Sequence, residues 1–235
     1  TNEEARELKK TELQKKVIPD LDSVQVPKDQ AKKALTKLEK ADAALKGGDA
    51  VLGKRFFREA LDEYPGLMLA NKYHPDEFYS NSEMEKLKEI FYYYNEGVKN
   101  ENEQMKAVFY LRAIEIDTEK AAIGWALNNL AYGCIVAKIK ELRDPEAAIH
   151  YAHKACALTQ WRYYAFIGTL AQCYSEAGDF SNAARVAEIY LKVCPKEKLP
   201  DSGEPPVNVK EMEFNLNRFK SGKPWQELKT DKSQK

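Results

Sequence analysis

A helix pair written into residues 164–197 constrains this chain more than any other stretch. Its core run, AFIGTLAQCYSEAGDFSNAARVAEIYLKVCP, places Leu170, Ala171 and Tyr174 three and four residues apart, on one face of a first helix. Gly178 supplies the left-handed conformation that ends that helix. Ala183 and Ala187 then let a second helix lie close against the first, because methyl side chains keep the axes near. Pro195 stops the second helix. A lone pair of this kind leaves an apolar face uncovered, so recurrence of the pattern elsewhere decides the fold.

The pattern recurs. In residues 124–163, Asn128-Asn129-Leu130-Ala131 opens a unit, and its second helix starts at Asp144-Pro145-Glu146-Ala147-Ala148, with Asp144 as N-cap and Pro145 in the first turn. This unit is longer between Leu130 and Ala148, so either its first helix or its inter-helix turn is extended. Residues 34–67 carry Ala41, Gly48-Asp49, Phe57, Ala60 and Pro65 at the same offsets. A degenerate copy at 88–121 rests on Tyr94, Ala107, Leu111 and Ile114. The intervening 68–87 fits no unit and reads as a loop or bent connector. After the last unit, Val209, Met212, Leu216 and Phe219 predict a cap helix over 207–221, polar outside, followed by a tail at 222–235. Residues 1–30 form a charged N-terminal segment.

These offsets resemble the tetratricopeptide repeat (TPR), in the style of bacterial members, with G-K-P-W after the cap helix adding to the likeness. The resemblance implies an all-α fold: a right-handed superhelix of about four TPR-like helix pairs with a C-terminal capping helix. It also implies that the inner helices line a concave groove that binds peptides or partner proteins. Composition agrees with helix throughout, since Ala, Leu, Glu and Lys dominate and β-branched residues are few.

The 37 basic and 37 acidic residues cancel, which leaves no global field for nucleic acid or anionic lipid. The least polar stretch, Ala121 to Ala137, is too short to span a bilayer and reads as a buried helix. No membrane insertion is expected. The sequence opens at Thr1 with no signal peptide, which fits a soluble cytoplasmic protein or an exported one already processed. Cys134, Cys156, Cys173 and Cys194 lie far apart with no C-x-x-C pair, and buried free thiols are the expectation, with a disulfide between neighbouring repeats as the alternative.

Candidate chemistry is sparse. Gly48 to Arg55 nearly spells a phosphate-binding loop, but Arg55 stands where a magnesium-holding Ser or Thr is needed, and a helix rather than a strand precedes it. His150, His153 and Cys156 stand three apart on one helix and make a weak metal candidate, lacking a fourth ligand nearby. On the repeat frame both histidines fall on an outer helix, where a solvated surface role is the plainer reading. There is no catalytic constellation, and no cofactor is called for. The expectation is a non-enzymatic scaffold that binds a partner protein or organises subunits of a larger assembly; the alternative is a metal-binding or enzymatic role through His150, His153 and Cys156.

On the TPR resemblance, the groove-facing positions include Tyr92, Glu96, Lys99 and Asn100, then Trp125, Asn128 and Tyr132, and finally Gln172 and Glu176. Chaperone-binding TPR proteins clamp a terminal carboxylate with paired Lys and Asn at such faces; here only Asn128 fits, so a mixed aromatic and polar protein surface is expected instead. The consecutive aromatics Phe91 to Tyr94 point around all sides of a helix, so one or two must leave the core. Stacked beside Trp125 and Tyr132, they predict a contact surface for a partner or for a second copy of the chain.

Overall fold

The computed structural model describes residues 17–24, 30–63, 81–116, 123–194 and 208–225. Among these residues there are nine α-helices, two short 3-10 turns and no strand. The helices are α1 (Gln30–Lys46), α2 (Ala50–Glu63), α3 (Asn81–Lys99), α4 (Glu103–Ile116), α5 (Gly124–Val136), α6 (Pro145–Leu158), α7 (Tyr164–Glu176), α8 (Phe180–Val193) and α9 (Val209–Lys220). The chain is all-α over the described residues, and none of these helices is long and apolar enough to cross a membrane.

One capping device recurs along the chain. An Asp or Asn side chain accepts the backbone N–H three residues ahead at the start of α2 (Asp49, 2.9 Å), α4 (Asn102, 3.0 Å), α6 (Asp144, 2.9 Å), α8 (Asp179, 3.1 Å) and α9 (Asn208, 3.1 Å). Gly48 and Gly178, with φ of 83° and 78°, make the left-handed turns before α2 and α8. The near phosphate loop at Gly48 to Arg55 is therefore a helix turn followed by the first residues of α2. Asp49 has the ordinary work of a cap.

Short turns fold successive helices into antiparallel hairpins. In α1–α2, Leu45 lies against Gly53 while Lys37 pairs with Glu59 at 3.7 Å. In α3–α4, Tyr110 packs on Gly97 and Tyr94; in α7–α8, Tyr190 packs on Gly168 and Tyr164. Hairpins from α3 onward pack on one another, α4 against α5 and α6 against α7, and α5 also touches α7 directly. The α9 helix lies on α8, tied by an ion pair of 2.8 Å between Lys220 and Glu188. The main core runs through α5 to α8, where Leu127, Phe166, Ile167, Leu170, Val186 and Ile189 are fully buried. Phe57 and Ala41 centre a separate small cluster within α1–α2.

Several expectations shift. The α3 helix starts at Asn81, inside the stretch read as a connector; residues 64–80 lie outside the described residues. The extra length of the 124–163 unit sits in its turn, not in its first helix. Residues 137–144 hold a 3-10 turn at Lys140–Leu142, anchored where the Glu103 carboxylate accepts the Lys138 and Ile139 N–H groups at 3.0 and 3.3 Å. The charged N-terminal segment also does more than solvate. Ile18 and Val24 are buried, and the Ile18 and Leu21 carbonyls accept hydrogen bonds from Arg185 (3.4 Å) and Lys192 of α8.

Candidate functional site

The α5 and α7 helices run side by side, and between them lies a groove of about 450 Å³. Each helix contributes residues one turn apart, so one face of each forms a wall: Trp125, Asn128, Asn129 and Tyr132 from α5, and Ala165, Gly168, Thr169 and Gln172 from α7. Tyr190 of α8 reaches the groove from behind because residue 168 is a glycine. A Cβ there would stand 3.2 Å from the Tyr190 ring. The Tyr190 hydroxyl accepts the Asn208 backbone N–H at 3.3 Å, joining the floor to the start of α9. Burial holds that phenol well above its ordinary pKa, helped by the neighbouring Cys194 thiol, so it stays neutral.

The far end is closed by the chain beyond α9. Gly222 turns the backbone with φ of 66°, the Pro224 carbonyl accepts from Arg218 at 2.8 Å, and the Trp225 N–H donates to the Ser175 hydroxyl of α7 at 2.6 Å. Trp225 rests on Phe219 with ring centroids 6.0 Å apart and lines the groove. Asn208, Glu211 and Met212 of α9 complete the lining.

Amide groups link the α5 wall to α4. The Asn128 amide donates to Asn129 Oδ1 at 3.4 Å, and the Asn129 amide donates to the Tyr110 hydroxyl at 3.5 Å. Asn128 is only 9% exposed, and its side-chain oxygen has no hydrogen-bond donor among the described residues. A buried acceptor left in that state is unfavourable until a donor arrives.

Four of the positions expected to face a groove, Trp125, Asn128, Tyr132 and Gln172, come together here. Trp125 is not the open surface ring expected of it. It is 7% exposed, held edge-on by Tyr163 (5.2 Å) and Phe166 (4.9 Å). Tyr92, Glu96, Lys99 and Asn100 lie on or just after α3 and do not line the groove. Tyr92 is 58% exposed, Lys99 pairs with Glu96 at 3.9 Å, and Asn100 accepts the Asn102 N–H within the α3–α4 turn. Glu176 is exposed at the end of α7, outside the lining. The aromatic middle thus splits instead of stacking continuously: Tyr93 and Tyr94 face Phe109 and Tyr110, while Trp125 faces Tyr163 and Phe166. Sequence reasoning missed Tyr190, the α9 contribution and Trp225; the run Gly222-Lys223-Pro224-Trp225 was the available signal for the last.

The histidine candidates do not converge. His150 is exposed with its ring edge-on to Tyr151, His153 packs on Trp161 at 5.2 Å, and Cys156 is fully buried in the core. Among the described residues no three His, Cys, Asp or Glu side chains gather as a metal would require. Cys134, Cys156, Cys173 and Cys194 form no disulfide. No family model matches the chain, and no curated protein matches it.

Proposed function

We propose that this chain is a TPR-like repeat protein, a right-handed superhelix of helix pairs, and that it works without catalysis by holding a segment of a partner protein in the groove between α5 and α7. The observation that carries this reading is the groove itself. Its volume of about 450 Å³ falls within the range of about 300–1,000 Å³ typical of small-molecule sites, so it takes a few side chains of a larger partner. Its lining includes Trp125, Tyr132 and Trp225, and Trp and Tyr are enriched at the energetic centres of protein interfaces. The Asp/Asn caps and the glycine turns before α2 and α8 support the repeat reading, because they recur at matching places in successive hairpins.

Affinity capture from the native source, read by mass spectrometry, tests this with three bait proteins. Wild type and Tyr92→Ala are expected to retain the same partner, since Tyr92 is exposed away from the groove. A Tyr132→Ala, Gln172→Ala double variant is expected to lose that partner while melting within about 1 kcal/mol of wild type, as partly exposed positions do. A double variant that stays folded and captures the same partner would remove the groove from the function. Sedimentation of the same proteins decides whether the partner is a second copy of the chain.

A further inference from the structure

Residues 17–24 lie along α8 as a foot, held there through the main chain and two aliphatic plugs. The Ile18 carbonyl accepts from Arg185 at 3.4 Å, and the Leu21 carbonyl accepts from Lys192. The two spacings match. Arg185 and Lys192 stand two helical turns apart, about 10.5 Å along the axis of α8. Ile18 and Leu21 are joined through Asp20, whose backbone is extended (φ −62°, ψ 140°), and three extended residues span about 10 Å. Ile18 and Val24, each 6% exposed, join the main core, which includes Val186, Ile189 and Val193 of α8. The 3-10 turn Leu21–Ser23 between them packs on α8. Charge agrees as well, since the foot carries Asp20 and Asp22 and α8 meets it with Arg185 and Lys192.

The helices that follow the foot are attached differently. Among the described residues, α1 and α2 pack closely only on each other, around Phe57 and Ala41. The foot on α8 is the one close packing described between residues 17–63 and helices α3 to α9. Every contact it makes is available from the α8 of a second copy, and an exchange of feet between two copies loses none of them. We propose that the α8 surface under residues 17–24 is an interface between copies of this chain, in which the foot of each copy seats on α8 of the other and closes a two-fold dimer. Neither the foot nor Arg185 and Lys192 line the α5–α7 groove, so this interface is separate from the site proposed above.

Sedimentation velocity on two complementary variants of the full chain tests this. One variant loses its foot contacts and keeps α8 (Ile18→Asp, Val24→Asp). The other keeps its foot and reverses the charge of α8 (Arg185→Glu, Lys192→Glu). Each alone is expected to sediment as a monomer. An equimolar mixture is expected to form a one-to-one complex, because the intact foot of one chain finds its surface only on the other. Wild type is expected to show a dimer fraction that rises with concentration and is lost in either variant. Circular dichroism checks that each protein is folded; where a charged pair unfolds the chain, the alanine pair at the same positions replaces it with the same expected outcomes.

A mixture that sediments as two monomers would overturn the proposal. A wild type that stays monomeric up to its solubility limit would overturn it as well. A dimer that persists in both variants would assign association to another surface, with the same consequence. The function proposed above fails separately, when groove variants that stay folded keep their captured partner.

Discussion

Burial pushes the Cys134 thiol up to about 11, with the nearby Asp144 charge adding to the effect. Cys156 and Cys173 are pushed up further by deeper burial, each with another thiol as the second cause. The thiolate is the reactive form, so these side chains are poor nucleophiles in the folded chain. Iodoacetamide at mildly alkaline pH is therefore expected to label Cys156 and Cys173 only after denaturant is added, with Cys134 slow before it; peptide mass mapping reads the difference. The sign for stability follows. A raised thiol pKa contributes fully below the ordinary value near 9 and is lost as pH climbs through 11, so alkali destabilises the α5–α8 core. Residue type alone placed Cys156 and Cys173 in the core, because small apolar side chains pack where helices approach. It did not place Trp125. Helical periodicity gives the direction in which that ring leaves α5, but not that Phe166 of α7 covers it. The physical signal is Gly124, where a Cβ would come within 2.7 Å of the Phe166 ring.

Helix pairing depends on small residues at the contacts and on the caps that start each second helix. Ala183 is fully buried where α8 meets its neighbours. Ala183→Leu is expected to destabilise by about 1–3 kcal/mol, read from chemical denaturation, because the added volume has no space to fill. The Asp144 and Gly178 signals were legible because caps act over three or four residues of sequence. The anchoring of the 137–144 turn was not, since Glu103 reaches it from 35 residues away. The Lys138 N–H holds the Glu103 carboxyl below its usual range, with the Ile139 N–H adding a smaller share. A depressed carboxyl stabilises above its ordinary pKa and ceases to do so as pH falls through the folded value. Glu103→Gln, or acidification, is expected to lower the hydrogen-exchange protection factors of Lys138 and Ile139, after correction for the intrinsic rate at each pH, while leaving the mid-helix amides of α5 and α6 protected. Unchanged protection in the turn would mean that Glu103 is not its anchor.

Across the whole molecule, contacts run mainly between neighbours, and the α1–α2 hairpin has its own cluster around Phe57. Phe57→Ala is expected to cost about 3–5 kcal/mol within that hairpin. Hydrogen exchange with mass spectrometry should then show α1 and α2 losing protection while α5 to α8 keep theirs; equal loss throughout would mean that one cooperative unit spans the chain. The all-helical character was legible from the excess of helix-forming residues and the scarcity of β-branched ones. The docking of residues 17–24 on α8 was not, because no local pattern marks a contact between Ile18 and Arg185, 167 residues apart. That contact has a consequence in time. At synthesis rates of about 5–20 residues per second, Ile18 leaves the ribosome roughly 8–33 s before the surface it will cover exists. The neighbouring hairpins can close as they emerge, and the N-terminal segment is left to seat once α8 has emerged. During that interval Ile18 and Val24 stand uncovered, and a chaperone that shields short apolar segments would find them first.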